Sequence, residues 1–492
     1  MIGIVTSFQP SGRESHSNPL ACAIVVTPWL GTSVPWFAVG VGILLSRDGQ
    51  KTTFILDDYP FGNNRLRYRF ILFCLKSVLE LLASRHRVIV LSHLKPDGLL
   101  NDDMRAEVKQ LAILNAVWEL RGEMIDAGRQ KFVDLCERQL TAAYPAIYAV
   151  TALNRYDLLF VPGGVWGTTG IWSSCALRAG IRVSSFDSGG YGTAMLAVNG
   201  VACQLQDIPH AFGLIRQGDD TAHSVRLATR EAQAEMDRRR AGSDSFMSQV
   251  VGSGGGDSRY DDAILIALNS SWDSAALGLH TVFKDNTDWI VSTVRFLLEN
   301  TVATVIVRQH PAERLEIART TDNYDLLLKQ HFGVNPRLHF IAAADRINSY
   351  ELMSKVKALV VYTSTIGIEA AANMKPVITP SSSYYSGLGF VYKATSLSQY
   401  QNFLINACEC NLKLDEEQRE GALICYYLTQ CCNWVFSPFN PADYSEWSQQ
   451  SLEHWYADKN VNKMVRALVG NIPMAYLNHL DRLKEDRDFY PD

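Results

Sequence analysis

Reactive side chains gather at three places where an apolar run passes into a polar turn. The first is Val360-Val361-Tyr362-Thr363-Ser364-Thr365-Ile366-Gly367-Ile368-Glu369-Ala370. Here a buried strand gives way to small hydroxyl residues and then a helix. A helix's first turn has free N–H groups and the positive end of the dipole, and the hydroxyls of Thr363, Ser364 and Thr365 add donors. Such a turn holds phosphate without net basic charge. Glu369, one turn further, can accept hydrogen bonds from ribose hydroxyls. The same letters also fit an ordinary N-capped helix in which Glu369 only favours the dipole.

The second place is Arg308-Gln309-His310-Pro311-Ala312-Glu313-Arg314. Pro311 stops the strand and fixes its exit, which presents His310 at the strand's carboxyl end. A histidine there can donate to a phosphate oxygen or protonate a leaving phosphate. Arg308 and Arg314 can add charge-assisted bonds. A lone strand-end histidine is more often structural; a phosphate loop some fifty residues later shifts the balance. The third place is Phe186-Asp187-Ser188-Gly189-Gly190-Tyr191-Gly192-Thr193. Asp187 ends a buried strand and can deprotonate an acceptor hydroxyl. Gly189, Gly190 and Tyr191 then form the acceptor side, since glycines let a substrate approach the backbone. An Asx turn would also explain Asp187. Asp57 and Asp58, at another strand end, are rivals for the base. Arg238-Arg239-Arg240 reads as a solvated stretch, and Trp434, Trp447 and Trp455 as core or packing residues.

Elements that could position these residues alternate along the chain. Strands 51–56, 87–92, 157–161 and 181–186 interleave with helices 65–84 and 102–140. Gly252-Ser253-Gly254-Gly255-Gly256-Asp257 supplies a linker. The pattern restarts with strands 263–268, 303–308, 337–341, 358–362 and 376–379, each followed by a turn and most by a helix. Strand 263–268 ends at Asn269-Ser270, which adds both residues to the donor-binding set. The reading is an α/β chain of two Rossmann-like domains facing a cleft, with a helical C-terminal tail. Its parts are 1–245, a linker at 246–260, 261–415, and 416–492 packing back on the domains. Ligands of such sheets sit at the carboxyl ends of the strands.

Composition narrows the class. A length of 492 residues exceeds what one core usually spans. A net charge of −5 argues against a nucleic-acid surface, so any anion site is local. The ten cysteines lie in apolar runs without metal-ligand spacing, as small buried hydrophobes in a reducing cytosol would. The apolar N-terminal runs 21–30 and 34–45 are interrupted by Pro28, Gly31, Pro35 and Gly40 and read as buried strands, too short to span a bilayer. The expectation is a cytoplasmic protein, with contact to a membrane's inner face left open.

Taken together, Arg308 to Arg314, Asp345-Arg346-Ile347-Asn348-Ser349-Tyr350, Tyr362 to Glu369, Lys375-Pro376-Val377 and Tyr384-Tyr385-Ser386-Gly387-Leu388-Gly389-Phe390 resemble the capsule polysaccharide biosynthesis family. Phe186 to Thr193 and Val198-Asn199-Gly200-Val201 look like the segment where that family places an acidic residue before a glycine, often Glu rather than Asp187. The family includes β-Kdo transferases that use CMP-Kdo and have the GT-B fold. The resemblance implies an inverting glycosyltransferase with Asp187 as base. His310, Ser364 and Thr365 hold the donor phosphate, helped by Asn269, Ser270, Arg308, Pro311 and Thr363, with Glu369 near the nucleotide. The partners implied are a nucleotide-sugar donor and a glycan or glycolipid acceptor, with no cofactor and no metal. The alternatives are a nucleotide-activated polyol-phosphate transferase and a non-catalytic glycan-binding or export-assembly protein.

Overall fold

A computed structural model describes residue 5 and residues 18–489, apart from 30–31, 62–64, 97, 99, 125, 190–191, 219, 243–257, 274–275, 438 and 442–450. Gly190, Tyr191, Trp447 and most of the expected linker therefore lie outside the described residues. The chain forms two compact units, each described by itself. One comprises 1–116, 127–207 and 432–481, and the other 117–126, 208–431 and 482–492.

The first unit begins with β1 (Ala21–Val26), α1 (Val34–Arg47), β2 (Lys51–Leu56), α2 (Arg65–Leu82) and β3 (Arg87–Val90). It continues through α3 (Asp102–Leu120), α4 (Ala127–Leu153), β4 (Leu158–Pro162), α5 (Thr169–Arg178), β5 (Arg182–Ser188) and β6 (Thr193–Ala197). The sheet runs β6-β5-β4-β1-β2-β3, parallel except that β6 returns antiparallel to β5. Strands β1 and β4 are nearly continuous apolar runs, and β2 is buried from Thr52 onward, because helices cover both faces. The expected helix 102–140 is two helices, α3 and α4, parted at Arg121, whose φ is +56°. The segment 117–126 that joins them groups with the second unit.

The second unit holds α6 (Ile208–Gln217), α7 (Thr221–Arg240), β7 (Ile264–Ala267), α8 (Asn286–Asn300), β8 (Val305–Arg308), α9 (Tyr324–Phe332), β9 (Leu338–Ile341) and α10 (Ser349–Lys355). Then follow β10 (Ala358–Val361), α11 (Ile366–Ala372), β11 (Val377–Thr379), β12 (Tyr392–Lys393), α12 (Leu397–Cys408) and α13 (Glu416–Tyr427). Its sheet runs β12-β11-β10-β7-β8-β9, with every neighbouring pair parallel. Sequence placed α6 and α7 in the first domain; by contacts they belong to the second. Leu227, Ala228, Ala232 and Met236 form the buried stripe of α7. That helix packs on α13, which packs on α11.

The chain then returns to the first unit with β13 (Trp434–Phe436), α14 (Leu452–Ala457) and α15 (Lys459–Gly470), before α16 (Met474–Phe489). Strand β13 extends the first sheet, antiparallel to β6. The C-terminal tail is mostly helical, as expected, with this one short strand. The run 34–45 is helix α1, not a strand. One side of α1 faces β1 and β2 and the other faces α15, so it is apolar all round. No described helix is long and apolar enough to cross a membrane.

Candidate functional site

A cavity of about 170 Å³ opens at the carboxyl ends of the second sheet's strands. Four loops and one distant helix line it. Ala267 and Leu268 come from the end of β7, and Arg308 to Pro311 from the end of β8. Asn348 to Tyr350 open α10, Ser364 to Ile366 and Glu369 follow β10, and Arg239 ends α7. Of the residues singled out from sequence, the fold brings Arg308, His310, Pro311, Ser364, Thr365 and Glu369 together.

Pro311 opens a 3₁₀ turn, Pro311–Arg314, and His310 caps it. The Ala312 N–H donates to His310 Nδ1 at 3.2 Å. In the neutral ring Nδ1 is then the acceptor, so Nε2 carries the proton. Burial, with Arg308 nearby, pushes the imidazole pKa down to about 4. His310 is therefore a neutral N–H donor at physiological pH, suited to a phosphate oxygen and not already a cationic acid.

Arg308 lines the cavity, yet most of its donors are committed. Its guanidinium donates to the carbonyls of Ala342, Asp345 and Ile347, which ties β8 to the loop before α10. Burial lowers its pKa to about 10. Only Nε, buried, lacks an acceptor among the described residues. Arg314 lines a different cavity.

The hydroxyl turn is held from behind. Tyr385 Oη donates to the Ser364 carbonyl at 2.9 Å. Thr365 starts α11 without a side-chain capping bond, so its hydroxyl is not spent as a cap. Gly367 sits in a tight spot: a Cβ there would stand 3.0 Å from Val361 Cγ2 and 3.1 Å from Tyr385 Oη, so these neighbours would have to give way slightly. Asn269 and Thr363 do not line the cavity. Instead the Thr363 N–H donates to Asn269 Oδ1 at 3.1 Å, clamping the β7 and β10 loops. Ser270 donates to the Ala318 carbonyl, also away from the cavity. These three support the loops rather than line the site.

Glu369 is 5% exposed. Burial raises its carboxyl to about 7, against a hydrogen bond from Tyr350 and the positive charges of Arg239 and Arg240. Arg239 is held by Glu235 Oε1 at 2.8 Å and Gln430 Oε1 at 2.5 Å. The Arg240 guanidinium lies 5.6 Å over the Tyr350 ring. The arginine run is therefore not simply solvated; two of its members reach the site's wall. Gln309, Asn348, Ser349, Tyr350 and Arg239 were not among the site candidates. Asn348 to Tyr350 had a signal, since they sit in a quoted motif. Arg239 had none, because only the packing of α7 on α13 brings it there.

In the first unit, Asp187 is half-buried in β5 opposite Met195, and its Oδ1 accepts the Ser188 N–H at 2.8 Å. Gly189 fits a tight turn, where a Cβ would stand 2.0 Å from Thr193 Oγ1. The rival carboxylates are engaged. Asp57 is 1% exposed and accepts from Thr168 Oγ1 at 2.5 Å and Trp172 Nε1 at 2.9 Å. Burial raises it to about 6. Asp58 accepts the Ser92 N–H and hydroxyl, and Lys76 stands 3.6 Å away. Trp434 pairs into β13, and Trp455 is buried against Phe439. Both tryptophans are packing residues, as expected.

The chain thus holds two α/β units built mainly on parallel strands, the second with a strand-end histidine and a hydroxyl turn in one cavity. Residues 255–407 match the family described as capsule polysaccharide biosynthesis protein, so the resemblance read from the residues holds over that segment. No curated protein matches the chain. Among solved structures, the chain is similar to the β-Kdo 2,4 transferase of Thermosulfurimonas dismutans KpsC. Identity is 14%, over 63% of this chain and 87% of that one, with a TM-score of 0.38. The β-Kdo 2,7 transferase of the same KpsC is 16% identical over 68% and 92% of the two chains, with a TM-score of 0.31. The S. aureus MnaA–UDP structure is 13% identical over 65% and 88%, with a TM-score of 0.28.

Proposed function

We propose that this protein is a glycosyltransferase of surface-polysaccharide synthesis, with the second unit's cavity as its donor site. The observation that carries the reading is the convergence of His310, Ser364, Thr365 and Glu369 on one cavity inside the family-matched segment. Those groups suit a nucleotide's phosphate and ribose in turn. The donor is a nucleotide-sugar, and the family resemblance favours a CMP-activated acidic sugar such as Kdo. The acceptor is a hydroxyl of a glycan or glycolipid.

In this reading the acceptor oxygen bonds to the anomeric carbon while the carbon's bond to the phosphate oxygen breaks. The bonding pair leaves with the nucleotide phosphate, and the configuration inverts. The hydroxyl proton passes to the Asp187 carboxylate. His310, held neutral, donates to the phosphate oxygens where negative charge grows, which is worth more there than in the ground state.

A thermal-shift panel with CMP, CDP and UDP tests the donor site. We expect stabilisation by CMP; no shift with any of the three would remove the nucleotide-sugar reading. Asp187→Ala is expected to abolish sugar transfer and leave the nucleotide shift unchanged. Intact transfer in that variant would exclude Asp187 as the base.

A further inference from the structure

The first unit carries an exposed apolar stripe beside an unusual concentration of positive charge. On α2, Leu75, Val78, Leu79 and Leu82 face the core, with Ile71 and Leu72 packed against it. The opposite side shows Phe70 at 69%, Phe73 at 70% and Leu81 at 42% exposure. Phe70 and Phe73 lie one turn apart on one face of the helix, and Leu81 lies on the same side about two turns further on, beyond Ser77 and Glu80. Two adjacent phenylalanines so far in solvent call for a partner.

Charge says which partner. From Arg65 to Lys95 the sequence carries seven Lys or Arg and one acid, Glu80, a local +6 in a chain of net −5. The rest of the chain is therefore at −11. Arg69, Arg85, Arg87 and Lys95 are exposed, the last three flanking or lying on β3, the sheet's edge strand, against which α2 packs. Beside the stripe, Arg69 and Lys76 flank the phenylalanines, with Glu80 further along; Lys76 also stands 3.6 Å from Asp58. At those exposures the two phenylalanines and the leucine offer on the order of 350 Å². That is below the roughly 800 Å² per partner of a stable dimer. A short aromatic stripe with cationic flanks suits the interface of an anionic bilayer, where rings enter the acyl boundary and arginines meet phosphate headgroups.

We propose that α2 and the basic residues around β3 dock this protein on an anionic phospholipid surface. The surface lies wholly in the first unit and does not depend on the sugar chemistry. The full chain should be sedimented with phosphatidylcholine vesicles and with vesicles containing about one-third phosphatidylglycerol. We expect binding only to the anionic vesicles, and its loss at high salt. Phe70→Ser/Phe73→Ser should weaken binding at least about tenfold, and Arg69→Glu should weaken it alone, both with unchanged melting temperature and unchanged nucleotide shift. Should the double variant melt lower, Arg69→Glu decides. Failure of the wild type to bind anionic vesicles, equal binding to neutral ones, or variants that bind as well as wild type would overturn the proposal. A dimer in solution that the phenylalanine variant abolishes would overturn it too, by assigning the stripe to a second copy.

Discussion

Replacing Glu369 by glutamine should stabilise the unliganded protein while weakening its hold on nucleotide. The carboxyl is 5% exposed, and burial moves it from 4.5 to about 7 despite Tyr350, Arg239 and Arg240. Its folded pKa lies above its unfolded one. Its contribution to stability is therefore whole below about pH 4.5, is lost as the pH rises to about 7, and stays lost above. At about 1.4 kcal/mol per pH unit, the ionised carboxylate costs the fold roughly 3 kcal/mol at pH 8. Glu369→Gln keeps the shape and removes the charge. It should leave stability at pH 5 within about 1 kcal/mol and raise the pH 8 melting temperature by up to ~10 °C. Nucleotide binding should move the other way. If the carboxylate accepts ribose hydroxyls, only its ionised form binds well. Wild-type affinity for CMP then rises about tenfold from pH 6 to pH 8, and the variant's profile is flat and weaker by about ten- to a hundredfold at pH 8. Calorimetric titration with CMP and melting curves at both pH values measure the two effects. A variant no more stable at pH 8 than wild type, or one whose affinity still climbs with pH, would refute the assignment of Glu369 as a strained, ligand-facing carboxylate.

Two further outcomes follow from the geometry. His310→Ala removes the Nε2–H donor and should weaken nucleotide binding about ten- to a hundredfold. Because burial holds that ring neutral, with its pKa near 4, the wild-type histidine should show no titration between pH 5.5 and 8 by NMR, and a titration near 6.5 would contradict the neutral-donor role. Asp57→Ala leaves the Thr168 hydroxyl and the Trp172 indole N–H without their shared acceptor and should cost the first unit about 2–4 kcal/mol in urea unfolding. An unchanged midpoint would show that Asp57 is not the structural anchor its contacts make it.

Much of the second unit was legible because its physics is local. Apolar runs such as Val305–Arg308 and Ala358–Val361, each ending at a proline or a hydroxyl turn, announce buried parallel strands and the loops at their carboxyl ends. Pro311 and the hydroxyl turn mark where a ligand's phosphate could sit whatever the rest of the chain does. Side chains whose role depends on neighbours far along the chain were less legible. Arg308 lines the cavity as expected, but the loop at 342–347 takes most of its donors. Asn269 and Ser270 looked like site residues, but they brace loops. Val34 to Leu45 looked like a strand because it is apolar throughout; it is a helix covered on its far side by α15, more than four hundred residues later. Arg239 looked solvated because nothing in its own segment reveals that α7 packs on α13 and points it at Glu369. By itself, then, the sequence determined the strand-end chemistry, His310 with Ser364, Thr365 and Glu369, since hydrogen-bonding type and strand register are written in adjacent residues. Tertiary structure alone decided which of the flanking charges face that chemistry and which are spent holding it, because burial and pairing come from contacts between segments that never meet along the chain.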